Sequence, residues 1–181
     1  MSTKPKPDEY VPLAEQYIRL VPDGKLADIL RDQHDRSLSL LKDLSEEQAV
    51  YRYAEGKWSL KTVVGHIADV ERLWSYRILR IARGDARELP GYDRDVFAKS
   101  ACCDDTAFDA VIEDFSAVRK STITLIANLR EEAFLRRGEF NGHPLSARAA
   151  AFIIAGHETH HMNVIKTKYL HYKEEPACPK E

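Results

Sequence analysis

Two histidines near the C-terminus, His157 and His161, are four residues apart in an apolar run that contains no proline. In a helix this spacing places both imidazoles on one face, one turn apart. Such a pair binds a divalent metal ion through ring nitrogens at about 2.0–2.1 Å. A third histidine, His66, lies far upstream on the apolar stripe of another predicted helix. Together the three predict an open site in which three protein ligands leave coordination positions free.

Four long amphipathic helices are predicted to position these histidines. The first runs from a cap at Asp23 to about Leu44, and the second from a cap at Ser59 to near Gly84. The third starts at residues 104–106 and ends near Leu129, and the fourth runs from a cap at Ser146 to about Tyr169. Strands are expected to be minor, because no long stretch alternates apolar and polar residues. The pattern predicts an all-α four-helix bundle.

The lengths of the connections predict the directions of the helices. Connections between the first and second helices and between the third and fourth are short, which favours antiparallel neighbours. The 85–104 linker is long enough to cross the whole bundle, so the predicted order is up-down-down-up. His66 then lies about 10 Å into the second helix, and His157 and His161 lie about 12–18 Å from the end of the fourth. In an antiparallel pair these depths nearly coincide.

The composition is that of an ordinary globular protein. The 181 residues are 44% hydrophobic and 31% charged, with a net charge of −2, which gives no reason to expect nucleic acid or an anionic membrane as a partner. We expect a single domain over residues 1–181, with flexible ends at 1–8 and 172–181. No apolar run reaches the length of a membrane span, and we expect no secretion signal, because the first eight residues lack the apolar core of one. Three cysteines, two of them adjacent, favour a reducing, cytoplasmic location.

Two further residues are candidates for supporting the histidines. Asp69, three residues after His66, can orient the His66 ring by accepting a hydrogen bond, or can be a solvated helix carboxylate. His160 is offset from the His157–His161 pair by about 60–100° around the helix and is expected to lie beside the site.

The remaining histidines and the cysteine pair have simpler interpretations. His34 is expected to be a hydrogen-bonded core residue, and His143 and His171 are expected to have no specific role. Cys102 and Cys103 are either incidental loop thiols or a source of a thiolate near the site.

Glu158 completes the pattern His-Glu-x-x-His, in which zinc proteases use the glutamate as a general base. The extended form of that motif needs a histidine at position 167, which is Thr167 here, and only 20 residues follow His161. The protease is therefore a remote alternative, and we expect Glu158 to face a neighbouring helix or solvent.

Three segments in order resemble the DinB/YfiT-like superfamily: Trp58-Ser59, the run from His66 to Glu71, and the run from Gly156 to His161. The resemblance spans roughly residues 20–170. It implies an up-down-down-up bundle that holds a divalent metal, often nickel or zinc, on His66, His157 and His161. Many relatives have an acidic residue where this chain has Thr62, a difference that concerns the helix cap and not the metal.

The resemblance also limits the range of reactions. It implies a metal-dependent hydrolase, a thiol S-transferase that uses a low-molecular-weight thiol, or a thiol-dependent isomerase, and commonly a homodimer. Our hypothesis is an enzyme in which the three-histidine metal, nickel or zinc in the first place and iron, cobalt or manganese otherwise, activates water or a thiol toward a small molecule. The alternative from another class is a non-catalytic, stress-related dimer that binds metal for structure.

Overall fold

The computed structural model describes residues 3–170 as eight α-helices and one two-stranded hairpin. His171 and the predicted flexible segment 172–181 lie outside the described residues. The short helices are α1 (Glu15–Ile18), α3 (Glu46–Ala49), α5 (Arg94–Ser100) and α7 (Glu131–Phe134). The long helices are α2 (Leu26–Leu41), α4 (Leu60–Ala82), α6 (Phe108–Ala127) and α8 (Ala147–Val164), and the strands are β1 (Arg137–Phe140) and β2 (His143–Ser146).

Helices α4 and α6 run in the same direction. Arg72 near the middle of α4 bonds Asp114 in the first half of α6, and Ser75, further along α4, bonds Thr122, further along α6. Two consecutive long helices can be parallel only if the chain returns between them along the bundle. The crossover at residues 85–104 makes that return, as its length predicts.

Helices α8 and α2 run opposite to that pair. The Tyr169 hydroxyl, beyond the end of α8, donates to the carbonyl of Trp58, just before the start of α4. His34 in α2 contacts Ser116 in α6. One turn earlier in α2, the carbonyl of Leu30 accepts from Arg119, which lies further along α6, so the two helices are antiparallel. The predicted up-down-down-up four-helix bundle is therefore confirmed.

The two helices that carry the site histidines begin at the predicted caps. The Ser59 hydroxyl accepts from the backbone N–H of Thr62, and the Ser146 hydroxyl accepts from that of Ala149. These bonds satisfy amide donors that have no partner within the helix. The end of α8 continues as one π-helical turn at Ile165–Tyr169.

Ser146→Ala is expected to reduce the free energy of unfolding by about 1–2 kcal/mol, because the buried hydroxyl also donates to Glu9. Ser45→Ala at the exposed cap of α3 is a matched control and is expected to cost about 0.5–1 kcal/mol. Urea unfolding of both variants measures the difference. Equal losses of unfolding free energy in the two variants would mean that neither the burial of Ser146 nor its bond to Glu9 adds to stability.

Three segments differ from the sequence-based expectation. Asn141 and Gly142 both adopt positive φ and connect β1 to β2 as a two-residue turn, within what was expected to be a polar loop. This Asn-Gly pair is a strong hairpin signal. The crossover contains the seven-residue helix α5, which begins at an Asp93 cap. The first long helix begins at Leu26 rather than after Asp23, and its preceding residue makes no side-chain cap bond.

The N-terminal segment packs along α8. The flexibility of residues 1–8 stays a prediction; the described part of this segment leads into a 3₁₀ turn at Pro7–Glu9. Glu9 is buried, where it pairs with Arg148 and accepts from Ser146. A buried carboxylate is stable only when paired and hydrogen-bonded, so these bonds hold the segment against α8 and position α1 beside it.

The core consists of two apolar clusters separated along the bundle. One surrounds the second half of α4 and the first half of α8, and the other surrounds the start of α4, α6 and the end of α8. Between them α4 contributes His66 and Glu71, and α8 contributes His157, Glu158 and His161. The polar side chains of the candidate site therefore form a layer between two apolar regions.

Candidate metal centre

His66, His157 and His161 meet at one point in this polar layer. One ring nitrogen from each lies within 4.8 Å of the other two. The Nε2 atoms of His157 and His161 are 3.1 Å apart. The centroid of the His66 ring lies 5.1 Å from the centroid of the His157 ring and 5.0 Å from that of the His161 ring. Antiparallel packing of α4 on α8 thus brings together positions that are some ninety residues apart.

The spacing of the nitrogens fits a single ion. Metal–nitrogen bonds of about 2.0–2.1 Å place two ligands about 3.3–3.4 Å apart in a tetrahedron and about 2.9 Å apart at a right angle. The 3.1 Å separation of the His157 and His161 nitrogens lies between these values. His157 and His161 can therefore chelate one divalent metal as they stand, and the His66 nitrogen, within 4.8 Å of both, is near enough to become the third ligand after a small side-chain shift.

All three rings are held in the neutral form that binds metals. Burial lowers the pKa of His66 to about 4 and that of His161 to about 3. Burial, with His161 and His66 as neighbours, lowers the pKa of His157 well below its usual value. Neutral imidazoles have one unprotonated nitrogen each, so at neutral pH the cluster can offer three unshared electron pairs to a cation.

A glycine directly precedes a site histidine in each of the two helices. A Cβ atom on Gly156 would be 2.9 Å from the Cα of Tyr17 and nearer still to the Tyr17 carbonyl. A Cβ atom on Gly65 would be 2.5 Å from the Sγ atom of Cys103. The missing side chains let two covering segments pack directly on the helix backbone beside the cluster.

Aromatic side chains enclose the histidines. The Tyr17 ring packs edge-on against His157 and His160, with centroid distances of 5.4 and 5.6 Å. The Trp58 ring lies 4.9 Å from the His66 ring. These contacts fix the imidazole orientations and restrict solvent access to the cluster.

Comparison with known proteins identifies the family. The model of the DinB superfamily matches residues 29–165, which is most of the chain. The chain belongs to the DinB superfamily.

Two solved structures share this DinB fold. One is YfiT from Bacillus subtilis, described as a probable metal-dependent hydrolase with an unusual four-helix bundle topology; it is 15% identical, with a TM-score of 0.68 over 91% of this chain and 90% of that one. The other is the DinB-like protein YjoA from Bacillus subtilis, 18% identical, with a TM-score of 0.57 over 87% and 96%. No curated protein sequence matches the chain. At these identities the likeness concerns the fold.

Among residues 3–170 of this DinB protein, no helix combines the length and the apolar character that crossing a membrane requires.

The two predicted supporting residues lie in different surroundings. His160 is adjacent to the cluster, with its ring 5.0 Å from that of His161. Asp69 instead lies 3.4 Å from Arg72, and burial raises the pKa of this carboxyl. The hydrogen bond that the structure gives Asp69 is therefore to Arg72 and not to the ring of His66.

Glu158 belongs to a buried ionic network on the neighbouring side of α8. Its carboxylate pairs with Arg119 and accepts from Ser37 at 2.6 Å. Arg119 also donates to both carboxylate oxygens of Glu71, with distances of 2.7, 2.9 and 3.1 Å. Burial alone would lower the pKa of Arg119, but Glu158 and Glu71 outweigh burial and raise it. Glu158 is committed to this network, so the His-Glu-x-x-His pattern does not supply a protease general base here.

The other singled-out residues of this DinB chain are outside the cluster. His34 is a buried core residue, as expected, and its Nε2 atom is 2.9 Å from the Ser116 hydroxyl. His143 is exposed in β2. Cys102 is exposed, whereas Cys103 is buried and burial raises the pKa of its thiol, and neither residue lines the cavity beside the cluster.

Sequence reasoning missed several residues around the site. Tyr17 and Arg94 come from short segments whose approach to the cluster depends on the packing of the whole fold. Arg119 is buried on α6 and looks like an ordinary surface arginine in the sequence. Gly65 and Gly156 did carry a signal, since a glycine within a helix lowers its stability and usually has a packing reason.

Proposed function

We propose that this protein is a metal-dependent enzyme in which His66, His157 and His161 bind one divalent ion, nickel or zinc in the first place. The observation that supports this most strongly is the convergence of three buried, neutral imidazoles whose ring nitrogens lie within 4.8 Å of one another. A divalent ion on three neutral ligands lowers the pKa of a bound water or thiol, which supplies a nucleophile near neutral pH.

The nucleophile must come from outside the protein. The cavity beside the cluster is lined, among the described residues, by aliphatic and aromatic side chains, histidines and one arginine. Serine, threonine, cysteine, lysine and carboxylate side chains are absent from that lining among the described residues, and we assign its histidines to the metal and to proton transfer. Water or a low-molecular-weight thiol fills this role, which corresponds to a hydrolase or a thiol S-transferase.

The chain's own residues prepare the reaction in three ways. Tyr17 and Trp58 enclose the histidines and exclude bulk water from the reacting centre. His160 lines the same cavity and provides an imidazole nitrogen that can accept a proton from the nucleophile or return it to a leaving group. The buried Arg119–Glu158 pair holds α8 in register, so that His157 keeps its position relative to His66.

We favour hydrolysis over thiol transfer, because YfiT, which shares the fold, is described as a probable metal-dependent hydrolase. The homodimer and the cytoplasmic location remain predictions. A non-catalytic metal-binding dimer is the competing function, and loss of metal distinguishes it. A structural site is expected to lower the melting temperature strongly when emptied, whereas an open site in a complete core changes it modestly.

The test uses tag-free protein loaded with zinc or nickel. Hydrolysis is assayed with model esters and model amides, and thiol transfer is assayed with electrophiles in the presence of a low-molecular-weight thiol. We expect metal-dependent turnover with one of these classes. Chelation and His157→Ala are expected to abolish it, while His160→Ala keeps the metal and slows turnover by about 10²–10⁴-fold. Turnover that survives chelation and the His157→Ala change would contradict the proposal.

A further inference from the structure

The cavity beside the histidine cluster is small and largely aromatic. Its volume is about 240 Å³, slightly below the roughly 300–1,000 Å³ of typical small-molecule sites. Its walls include the rings of Tyr17, Trp58, Trp74, Tyr92 and Phe140. Such walls favour a flat or branched apolar group and not a long polar chain.

The formal charge that lines this cavity is positive. Arg94 is the one formally charged side chain among the described lining residues, and no carboxylate lines the cavity. Arg94 is 72% exposed, and its ion-pair neighbour is Asp95, at 3.6 Å. That loose, solvated pair leaves the guanidinium available to another anion.

A second cation lies behind the cavity wall. The Arg77 guanidinium carbon is 4.7 Å from the Trp74 ring centre and 4.3 Å from that of Phe140, two rings that line the cavity. Arg77 is 3% exposed. It donates to the carbonyl of Pro90, while its Nη1 atom has no hydrogen-bond partner in the described structure. A buried cation without a carboxylate partner makes an anion in the adjoining cavity more favourable.

Arg94 is also close to the reacting centre. It lines the same cavity as His66, His157 and His161. It also lines a second, neighbouring cavity, together with His160 and His161. An anionic group held by Arg94 would therefore be next to the three histidines.

We propose that the cavity binds a small carboxylate with an apolar, preferably aromatic, body, and that Arg94 receives the carboxylate while Trp74 and Phe140 pack against the body. This assignment rests on the proposed function, because it places the substrate beside the three-histidine site. Guanidinium suits the task, since its planar fork donates two parallel hydrogen bonds to a carboxylate.

Both tryptophans of the sequence, Trp58 and Trp74, line the cavity, so intrinsic fluorescence reports its occupancy directly. Metal-loaded protein is titrated with phenylacetate, with the isosteric neutral phenylacetamide and with cationic phenethylamine. A ligand of this size is expected to bind with a Kd of about 1 mM. We expect phenylacetate to bind about tenfold more tightly than phenylacetamide, and phenethylamine more weakly than either.

Arg94→Gln is expected to abolish the preference for phenylacetate, and Arg94→Lys to retain part of it. Arg130→Gln is the matched control, since Arg130 is similarly exposed and pairs as loosely with Glu132, at 4.0 Å, but does not line the cavity. It is expected to bind all three ligands like the unmodified protein. The metal content of each variant is measured in the same samples.

An unchanged preference in Arg94→Gln would overturn the inference, because the carboxylate would then be held by the metal alone. Equal binding of phenylacetate and phenylacetamide, or no fluorescence change with either, would overturn it as well. Failure of the proposed function is separate. It appears as a lack of bound metal in the unmodified protein, and the same titrations of that metal-free protein still show whether Arg94 selects a carboxylate.

Discussion

Arg119→Met is expected to reduce the free energy of unfolding by about 3–5 kcal/mol, the cost of leaving buried charges without their partner. Arg119 is fully buried between Glu71 and Glu158, which are themselves 3% and 1% exposed. Methionine fills similar space but donates no hydrogen bond, so two carboxylates would be left buried between the two apolar clusters without a counter-charge.

Urea unfolding measures this loss, with Arg72→Met as the control. Arg72 pairs with Asp114 at the surface, where both side chains are about half exposed, and such pairs contribute about 0–1 kcal/mol. The triple variant Glu71→Gln/Arg119→Met/Glu158→Gln removes all three charges and is expected to recover part of the stability. A cost for Arg119→Met no greater than that for Arg72→Met would show that the network does not hold the layer together.

Gly156→Ala is expected to destabilise the protein by about 1–3 kcal/mol and to expose the histidine cluster. Alanine in place of a mid-helix glycine normally stabilises a helix by about 0.5–1 kcal/mol. Here the added methyl group would overlap the backbone of Tyr17, which cannot move aside as a flexible side chain can. The segment that carries the Tyr17 ring must shift, so His157 and His160 lose their aromatic cover.

Gly65→Ala provides a comparison in which the clash can be relieved. The atom nearest to its new methyl group is the Cys103 sulfur, and the next is the Cys103 Cβ at 3.8 Å. Gly65→Ala/Cys103→Ala is therefore expected to be near the unmodified protein in stability. Thermal unfolding and the rate at which a chelator removes bound metal are measured for each variant. Stabilisation by Gly156→Ala, with unchanged metal release, would contradict the close approach of Tyr17.

The bundle and the histidine cluster could be predicted because their signals are local or periodic. The caps at Ser59 and Ser146 define the starts of α4 and α8. Spacing along the helices then places His66 at the same depth as His157 and His161. The directions of the helices follow from the lengths of the connections, because a short connection joins antiparallel neighbours.

The surroundings of the site could not be predicted in the same way, because several groups near each polar side chain could bond to it, and only the packed structure shows which one does. Asp69 is one turn from His66 in sequence, yet the nearby guanidinium of Arg72 takes its carboxylate. Glu158 matches a protease motif, but the fully buried Arg119 on α6 pairs with it. Helix α5 is only seven residues long, too short for periodicity to reveal, and it carries Arg94 to the cavity.

The measurement that tests the central claim most directly is the metal content of purified, tag-free protein and its histidine variants. We predict one divalent ion per chain in the unmodified protein and in His160→Ala, and essentially none in His66→Ala, His157→Ala or His161→Ala. X-ray absorption of the loaded protein is expected to show three nitrogen ligands at about 2.0–2.1 Å. Full metal content in any of the three ligand variants, or no bound metal in the unmodified protein, would contradict the account.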